Sequence, residues 1–594
     1  LRSQSSFHYG AGIRYEEPVE GNTVGMRFNK SAGVDVFNIG KVTLLPDVSK
    51  ISDLSVSSGV NPLIVGGTDS FNGVDVLFTA IGSSLYRTPS GGSSSSVTWG
   101  GTGKILALIQ DGQHYYVANA TGIYQGSLTG TSGTLIFTYP TSIVGSTVSN
   151  VTLGWVKQRL MAGVNNAMFE VQPVYSVSVI SKSLDNNYNA TLETNAAHNF
   201  VVGSEVTVSS VDTVFNGTWT ITAVPSQTSF KYFVNSSPVN RTTVSGGSVQ
   251  LATNSSLPTY VHPNTTWVWT GICEGPNAIY VSGYAGDSSS VFRLALDTSG
   301  GIPTLTRALT AADLPRGEIV YALGAYVGKF MIFGTNKGIR VGTIDTSGFL
   351  SSGYITYGPI NVVTNGYDPA SGTVLNGKPS YSITFNDRYA YCTVSNYIDN
   401  GDGTYSSGLI KIDLSKDVDV NQMAWATHLR VPSTADVTGV TVLGSTNKLV
   451  MAVSGVGIYQ QATTLVSSGY LQTGQIRYFT LEDKHFELIK LRETLPMLGQ
   501  LKVTLINPDS TTLDIITVDN SFDFTQDITN IDYQADGQPK ESIAIKFTFY
   551  SAPGQLVGQE DSFNGYQLKA LPAVKRQRII TLPLENFDFV GDRY

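Results

Sequence analysis

The chain alternates between short apolar runs and turns rich in Gly, Asn and Ser, which is the pattern of β-strands joined by tight turns. One phrase recurs in seven copies: a small or turn residue, an apolar residue, often an aromatic residue, and then a polar one. The apolar members of these copies are Leu85, Ile123, Met168, Val291, Ile339, Leu409 and Ile458. Their successive separations are 38, 45, 123, 48, 70 and 49 residues. Because a four-stranded propeller blade takes about 40–50 residues, the repeat predicts an all-β fold built around a β-propeller of about seven blades.

Each copy follows another apolar strand across a short turn, and this strand–turn–strand unit predicts the central hairpin of a blade. Further upstream lies a third apolar run, for example "KILALIQ" at 104–110, "EIVYALGAYV" at 318–327 and "GVTVLG" at 439–444. We interpret these runs as inner strands that line a central channel, and the repeated apolar residue as packing between neighbouring sheets. The pattern lacks the Trp-Asp and kelch signatures, so the prediction depends on period and pattern alone.

Two stretches do not follow the repeat. Between Met168 and Val291, alternating strands with Gly, Asn and Pro turns predict a small β-sandwich or barrel inserted in a loop. Near residue 476 the strands become longer and predict a C-terminal antiparallel β-sandwich of jelly-roll type, with its last strand at 573–589. The predicted divisions are an N-terminal arm at 1–50, three blades at 51–173, the insert at 174–252, the remaining blades at 253–475 and the sandwich at 476–594.

The N-terminal arm carries one or two strands within 27–51. We expect one of them to complete the final blade, because pairing the two chain ends within one sheet removes a free strand edge.

Charge and cysteine content make several partners and sites less favourable. Charged residues make up 14% of the chain and the net charge is −8, which argues against nucleic acid and anionic membranes as partners. The chain contains no run of roughly 18 apolar residues, so the sequence predicts no membrane-spanning segment. The first residues lack the order of a signal peptide and do not begin with Met, which favours a processed or trimmed chain. Cys273 and Cys392 are expected to be buried free thiols in strands, because two cysteines make neither a disulfide framework nor a four-cysteine zinc site.

The predicted insert contains "AAHNFVVGSEVTVSSVDTVFNGTWTITAVPSQTSFKYFV" at 196–234. This stretch resembles a small β module that recurs in structural proteins of tailed bacteriophages. Asn199 stands where the module more often has Gly, a change that still tolerates a left-handed turn. The flanks "RFNKSAGVDVFNIGKVTLLPD" at 27–47 and "RIITLPLENFDFVGDRY" at 578–594 also resemble those of minor tail proteins of siphophages, notably phages of actinobacteria.

The resemblance implies a structural virion protein at the distal tip of the tail, with a part in attachment to the host cell. The implied partners are other tail-tip proteins and, as a possible ligand, a glycan of the bacterial surface. Because tail components assemble symmetrically, a trimer or hexamer is expected. The alternative is a propeller-type glycan-cleaving enzyme or a carbohydrate-binding protein of the tail.

Candidate catalytic chemistry is sparse. The six His, at positions 8, 114, 198, 262, 428 and 485, show no metal-site spacing, and His198 is expected to hydrogen-bond its own loop. The sequence contains neither a Gly-x-Ser-x-Gly elbow nor a phosphate-cradling Gly-Lys-Ser/Thr loop. A glycosidase would need two or three carboxylates converging at the channel mouth, and the candidates are Asp111, Glu274, Asp287, Asp313 and Glu318. Any chain with 45 acidic residues would supply as many candidate carboxylates. We therefore predict no catalytic, cofactor-binding or metal-binding residues and no enzymatic activity.

Two local motifs have competing interpretations. In "TTWVWTG" at 265–271, Trp267 and Trp269 share one face of a strand, where they would form a sugar-stacking platform if exposed and part of the core if buried. In "DNGDGTY" at 399–405, Asp399, Asn400 and Asp402 resemble part of a calcium loop, although the distal Glu is missing and a wide hairpin turn explains the same residues.

Overall fold

The computed structural model describes residues 1–15, 26–68, 73–173, 176–196, 198, 200, 202–251, 257–276, 278–297, 304–346, 353–368, 372–415, 420–493, 497–519, 525–529 and 539–573. Within those ranges the regular structure is β, except for one helical turn at Thr141–Val144. The predicted all-β class is therefore confirmed. The predicted last strand at 573–589, apart from Ala573, and the flank at 578–594 lie outside the described residues.

Seven antiparallel sheets share one plan, in which three strands follow one another along the chain and a further strand pairs with the third. Sheet 1 consists of Leu63–Thr68, Asp75–Ile81, Ser84–Pro89 and Ser95–Val97. Sheet 2 consists of Ala107–Gln110, His114–Ala118, Gly122–Ser127 and Gly133–Thr138. Sheet 3 consists of Val151–Val156, Arg159–Val164, Ala167–Val171 and Tyr260–Val261. Sheets 4 and 5 consist of Val268–Gly275, Ala278–Ala285, Ser288–Asp297 and Thr304–Asp313; Val320–Tyr326, Phe330–Thr335, Gly338–Ile344, Ile355–Tyr357 and Val362–Val363. Sheets 6 and 7 consist of Ile383–Asn386, Tyr389–Asp399, Tyr405–Asp413 and Trp425–Val431; Val437–Leu443, Lys448–Val453, Gly457–Leu465 and Pro46–Lys50.

The first strands of these sheets form a closed ring. Each lies against the first strands of the sheets before and after it, and the first strand of sheet 7 returns to that of sheet 1. Because neighbouring strands of a sheet alternate in direction, the strand that pairs with the third strand ends at the level where the first strand begins, and we take every first strand to begin at that same end of the ring. We call that end the start face and the opposite end the return face.

The seven repeated apolar residues explain why the sheets stack. All seven lie in the third strands of their sheets, and each is fully shielded from solvent. The prediction that they are buried is confirmed. A turn before each of these strands brings the apolar residue to the start of the third strand or near it, where its side chain leaves water and joins the core.

Two long gaps in the repeat correspond to added structure. A closed six-stranded barrel lies between the third and fourth strands of sheet 3, so the barrel leaves the ring at its return face. The strands of the barrel, in spatial order, are Ser176–Leu184, Asn189–Thr194, Ser229–Phe233, Gly217–Ser226, Glu205–Ser209 and Val239–Leu251. The shorter excess, before sheet 6, contains a hairpin of Asn365–Asp368 and Thr373–Asn376. Because the barrel interrupts sheet 3, the fourth strand of that sheet, Tyr260–Val261, follows the barrel in the chain.

The chain ends meet in shared sheets. Pro46–Lys50 pairs with Gly457–Leu465 and completes sheet 7, as expected for a strand from the N-terminal arm. Two further N-terminal strands pair into the C-terminal sheets, which consist of Arg2–Gln4, Phe563–Pro572, Lys484–Glu493 and Thr525–Thr529; and of Lys30–Ala32, Ser468–Gln472, Ala544–Tyr550, Gln500–Ile506 and Thr512–Val518. These sheets therefore begin before residue 476, and one buried cluster joins their core to sheet 6.

We expect Ile339→Asp to destabilise the ring, because the substitution places an unpaired carboxylate at a position that is 0% exposed. An uncompensated buried charge costs about 3–5 kcal/mol. Leu135→Asp is the matched control, since Leu135 is half exposed on a strand of sheet 2 and should change stability by less than about 0.5 kcal/mol. Urea unfolding measures both, and equal midpoints would show that Ile339 has been assigned to the wrong environment.

We expect the barrel to be removable. Its buried cluster contains only barrel residues and their immediate flanks, so the ring loses no core when the barrel is absent. Deleting 174–252 and joining Pro173 to Thr253 through a short Gly/Ser linker should leave the β signal in circular dichroism and a single cooperative unfolding transition. Aggregation of the shortened chain would show instead that the segment supports the ring.

Candidate functional site

The ring encloses a cavity of about 570 Å³ lined by residues from the first strands of all seven sheets and from the segments directly before them. Aliphatic side chains such as Ile64, Leu108, Leu153 and Val440 line its wall, as the inner-strand interpretation of the sequence predicts. None of the residues that line this cavity in the described part of the chain is charged. The wall therefore offers contacts to apolar and hydroxyl groups but no carboxylate or cation for acid–base chemistry.

Polar side chains in this wall connect the sheets to one another. The backbone N–H of Gly66 donates to Thr441 Oγ1 at 2.9 Å, which links sheet 1 to sheet 7. Gln110 Nε2 donates to the carbonyl of the same glycine at 3.1 Å, which links sheet 2 to sheet 1. Sheet 7 is linked to sheet 6 in the same way, because Val440 N–H donates to Ser382 Oγ at 3.2 Å. Gln110, Ser382 and Thr441 thus satisfy buried backbone groups between sheets.

Three tyrosines lie together on the start face. The ring centroids of Tyr321 and Tyr381 are 5.5 Å apart in an edge arrangement, and Tyr284 lies 6.0 Å from Tyr321. Tyr321 and Tyr381 also line the cavity. Burial raises the pKa of Tyr381 to about 12, and nearby Asp436 contributes to the same shift. The Tyr381 phenol is therefore neutral near pH 7 and can donate or accept a hydrogen bond.

The five candidate carboxylates do not form one constellation. Asp111 and Glu274 lie at the return end of first strands, whereas Asp287, Asp313 and Glu318 belong to the start face. Asp111 accepts hydrogen bonds from the Tyr116 hydroxyl and from backbone groups of its own turn. Burial opposes ionisation, but the hydrogen bond with the His114 side chain, together with those from Tyr116 and the backbone, lowers the pKa of Asp111 to about 2. Asp111 is thus a structural carboxylate that stays ionised.

The other four carboxylates also have separate partners. Glu274 Oε2 accepts from the backbone N–H of Lys157 at 3.0 Å, and Asp313 Oδ1 accepts from Ser290 Oγ at 2.6 Å. Asp287 forms an exposed ion pair with Arg316. The described residues contain no group of three or more His, Cys, Asp or Glu placed to hold a metal ion.

Glu318 differs because its partner is buried with it. Glu318 Oε2 lies 2.5 Å from Arg340 Nη2, and the two side chains are 5% and 7% exposed. Arg340 also donates to the carbonyl of Gly358 and lies over the Tyr357 ring, with its guanidinium carbon 4.9 Å from the ring centroid. Burial raises the pKa of Glu318, and Arg340 opposes that shift only in part. The arginine of the repeated phrase in sheet 5 is therefore a structural counter-ion.

The tryptophan pair belongs to the core. Trp267 and Trp269 are 4% and 1% exposed and pack with Met168 and Phe292 between sheets 3 and 4. His262 stacks on Trp267 with 4.0 Å between ring centroids. A sugar-stacking role requires an accessible ring face, so the exposed alternative for these two residues does not fit the structure. Alternation places both rings on one side of a strand, but it does not show which side faces the neighbouring sheet.

The motif at 399–405 forms the tip of a hairpin in sheet 6. Asp399 forms an ion pair with Lys30, and Asp402 accepts two hydrogen bonds from Thr404. The structure thus supports the hairpin-turn interpretation of these residues. His198 is buried in the barrel, where its Nδ1 accepts from the backbone N–H of Phe200, so its predicted bond within its own loop is confirmed. Cys273 and Cys392 are buried free thiols in strands, also as predicted.

Sequence reasoning missed the tyrosine cluster. It identified 318–327 as an inner strand but did not assign a strand to 383–386, beside which Tyr381 lies. The sequence does contain a signal for this cluster: a tyrosine lies at or just before the start of two successive first strands. That position places both side chains at the start face. No helix among the described residues is long and apolar enough to cross a bilayer.

No protein-family model matches the chain, and no curated protein matches it. Among solved structures, the endosialidase of phage phi92 aligns with 85% of this chain and 69% of its own, at 10% sequence identity and a TM-score of 0.34. A likeness at that score supports no conclusion about what this chain does.

We expect Arg340→Met to destabilise the protein by about 3–5 kcal/mol, because Glu318 would remain buried without its counter-ion. The double variant Glu318→Met/Arg340→Met should recover most of that loss, since it replaces both charges by apolar side chains of similar volume. Chemical denaturation of the two variants measures the difference. A double variant as unstable as the single one would show that the loss comes from packing and not from the uncompensated carboxylate.

Proposed function

We propose that this chain is a structural minor tail protein at the distal tip of a siphophage tail, and that its barrel points toward the bacterial envelope. The proposal starts from the resemblance of the barrel segment and of the flanks at 27–47 and 578–594 to tail-protein modules. The observation that carries it further is geometric: a closed ring supports a separate barrel, with its own core, at one face. A scaffold that presents a recognition module has this arrangement.

We infer that the seven sheets are the blades of a β-propeller whose last blade is completed by Pro46–Lys50. Such a ring leaves only short strand edges, and the third strand of the last sheet is covered by Pro46–Lys50. Free edges are the places where β-proteins open or aggregate. A virion component must stay folded outside a cell, and this architecture suits that requirement.

A tip protein is expected in three or six copies around the tail axis, in contact with other tail-tip proteins. Each barrel would then be repeated around the axis and would meet the cell surface several times. Linked weak contacts give strong attachment without any single tight site, because after the first contact the others form at a high effective concentration. The absence of charge in the lining of the described cavity is consistent with such a structural role.

The alternative function is cleavage of a surface glycan by the ring itself. Glycosidases place two carboxylates about 5–10 Å apart on either side of the scissile bond. The start-face carboxylates Asp287 and Glu318 are instead engaged by Arg316 and Arg340. The described geometry therefore favours the structural proposal over the enzymatic one.

We expect purified phage particles to contain this chain, and immunogold labelling to place it at the distal end of the tail. Fab fragments against the barrel should lower adsorption to host cells, because they cover the part that faces the envelope. Fab fragments against the C-terminal sheets are the control and should bind intact particles less, since those sheets are expected to dock in the virion. Absence from purified particles, or polysaccharide cleavage by the purified chain, would overturn the proposal.

A further inference from the structure

The end of the barrel that points away from the ring carries two exposed aromatic side chains. The strand Ser176–Leu184 starts beside the ring, and its pairing with Val239–Leu251 runs from Ser176 opposite Gln250 to Leu184 opposite Val239. At about 3.3 Å per residue, Leu184 lies roughly 25 Å farther out than Ser176. Tyr188 follows in the next turn, and Phe233 ends the neighbouring strand opposite Asn189. Both residues therefore lie at the outer end of the barrel.

The two rings lie against each other and are both exposed to solvent. Their centroids are 5.8 Å apart and their planes meet at 54°. Tyr188 is 44% exposed and Phe233 is 54% exposed, in contrast to the fully buried Phe230 and Tyr232 in the barrel core. Burial of a large aromatic side chain stabilises a fold, and these two exposed rings contribute little of that stabilisation. The pair is therefore not part of the barrel core.

The backbone at Tyr188 is strained. Tyr188 has a φ of 65°, in the left-handed region, which costs a bulky residue about 1–2 kcal/mol relative to Gly or Asn. Its carbonyl accepts from the backbone N–H of Val234, and its N–H donates to the carbonyl of Asp185. These bonds fix the turn beside Phe233. An Asn at this turn position would relieve the strain, yet the chain has a tyrosine.

Three exposed asparagines are close neighbours of the two aromatic residues in the chain. Asn186 and Asn187 directly precede Tyr188, and Asn235 lies two residues after Phe233. Each amide offers one acceptor and two donors, which suits ligands that carry neighbouring hydroxyl groups. Asp185 is already engaged by the backbone N–H groups of Asn187 and Asn189, so it shapes the turn.

We propose that Tyr188 and Phe233 form a saccharide-binding platform at the outer end of the barrel, with a pyranose ring as the ligand. One face of many pyranoses presents several C–H bonds, whose partly positive hydrogens are attracted to the negative face of an aromatic ring. The hydroxyls at the sugar edge would then hydrogen-bond to the neighbouring asparagine amides. The site deepens the proposed function, because it names the chemistry by which the barrel would contact the envelope. It replaces Trp267 and Trp269 as the aromatic candidates for sugar binding.

Saturation-transfer-difference NMR on the full chain tests the platform directly, with glucose, galactose, mannose, rhamnose and N-acetylglucosamine as probes at millimolar concentration. We expect transfer to the C–H protons of at least one of these sugars in the unmodified protein. Tyr188→Asn and Phe233→Thr should each abolish that signal. Tyr188→Asn should at the same time keep or raise the melting temperature, because Asn tolerates the left-handed backbone.

Tyr367→Ser is the matched control, since Tyr367 is exposed on the hairpin before sheet 6, far along the chain from the barrel. It should leave the saturation transfer unchanged. No transfer to any of the five sugars, or equal transfer in the Tyr188 and Phe233 variants, would overturn the platform. The measurement does not depend on phage particles, so sugar binding by a chain that is absent from virions would contradict the proposed function and leave the platform intact.

Discussion

The pairing of Pro46–Lys50 with Gly457–Leu465 is the contact on which the ring depends, because it joins the two ends of the repeat within sheet 7. A circle of sheets has a seam wherever the first and last members meet, and the third strand of the last sheet would present an unpaired edge there. A strand from before the first sheet covers that edge. Opening the ring therefore requires breaking a β-ladder as well as separating two packed faces.

Side chains reinforce the same seam. Asp75, at the start of the second strand of sheet 1, accepts hydrogen bonds from the backbone N–H groups of Ser445 and Thr446 in sheet 7. Burial opposes ionisation of this carboxyl, but these hydrogen bonds and those from neighbouring hydroxyls lower its pKa below the usual value. Near the cavity, Thr441 and Gln110 bond to Gly66 from both sides. A Cβ at Gly66 would lie 2.6 Å from the Val442 carbonyl oxygen, so the close approach of these strands requires glycine.

The N-terminal segment is also held against sheet 6 by a charge pair. Lys411 is almost fully buried, with its Nζ 3.2 Å from Asp35 of the N-terminal segment and 4.1 Å from the Tyr389 ring centroid. Burial would raise the pKa of Asp35, but Lys411 lowers it. The charge pair lies in the same region as the buried cluster that joins the C-terminal sheets to sheet 6. Ring and C-terminal sheets therefore share one core, which argues against treating the sheets as an independently moving unit.

The sequence predicts those features that depend on residues close together in the chain. Residues such as Leu85 and Ile458 could be identified because every sheet needs an apolar residue near the start of its third strand. The pairing of Arg2–Gln4 and Lys30–Ala32 with C-terminal strands could not, since no local signal names a partner hundreds of residues away. For the same reason Tyr188 and Phe233 come together only through the strand register of the barrel.

The closing strand also constrains the order of events during synthesis. Lys50 lies opposite Tyr459, so more than 400 residues are made between the two. At about 5–20 residues per second, the early strand waits roughly 20–80 s for its partner on the ribosome. An exposed β-strand left that long invites pairing with other nascent chains. The sequence of this strand, Pro46-Asp47-Val48-Ser49-Lys50, contains a proline and two charged residues, which are the features that discourage such pairing until the last sheet arrives.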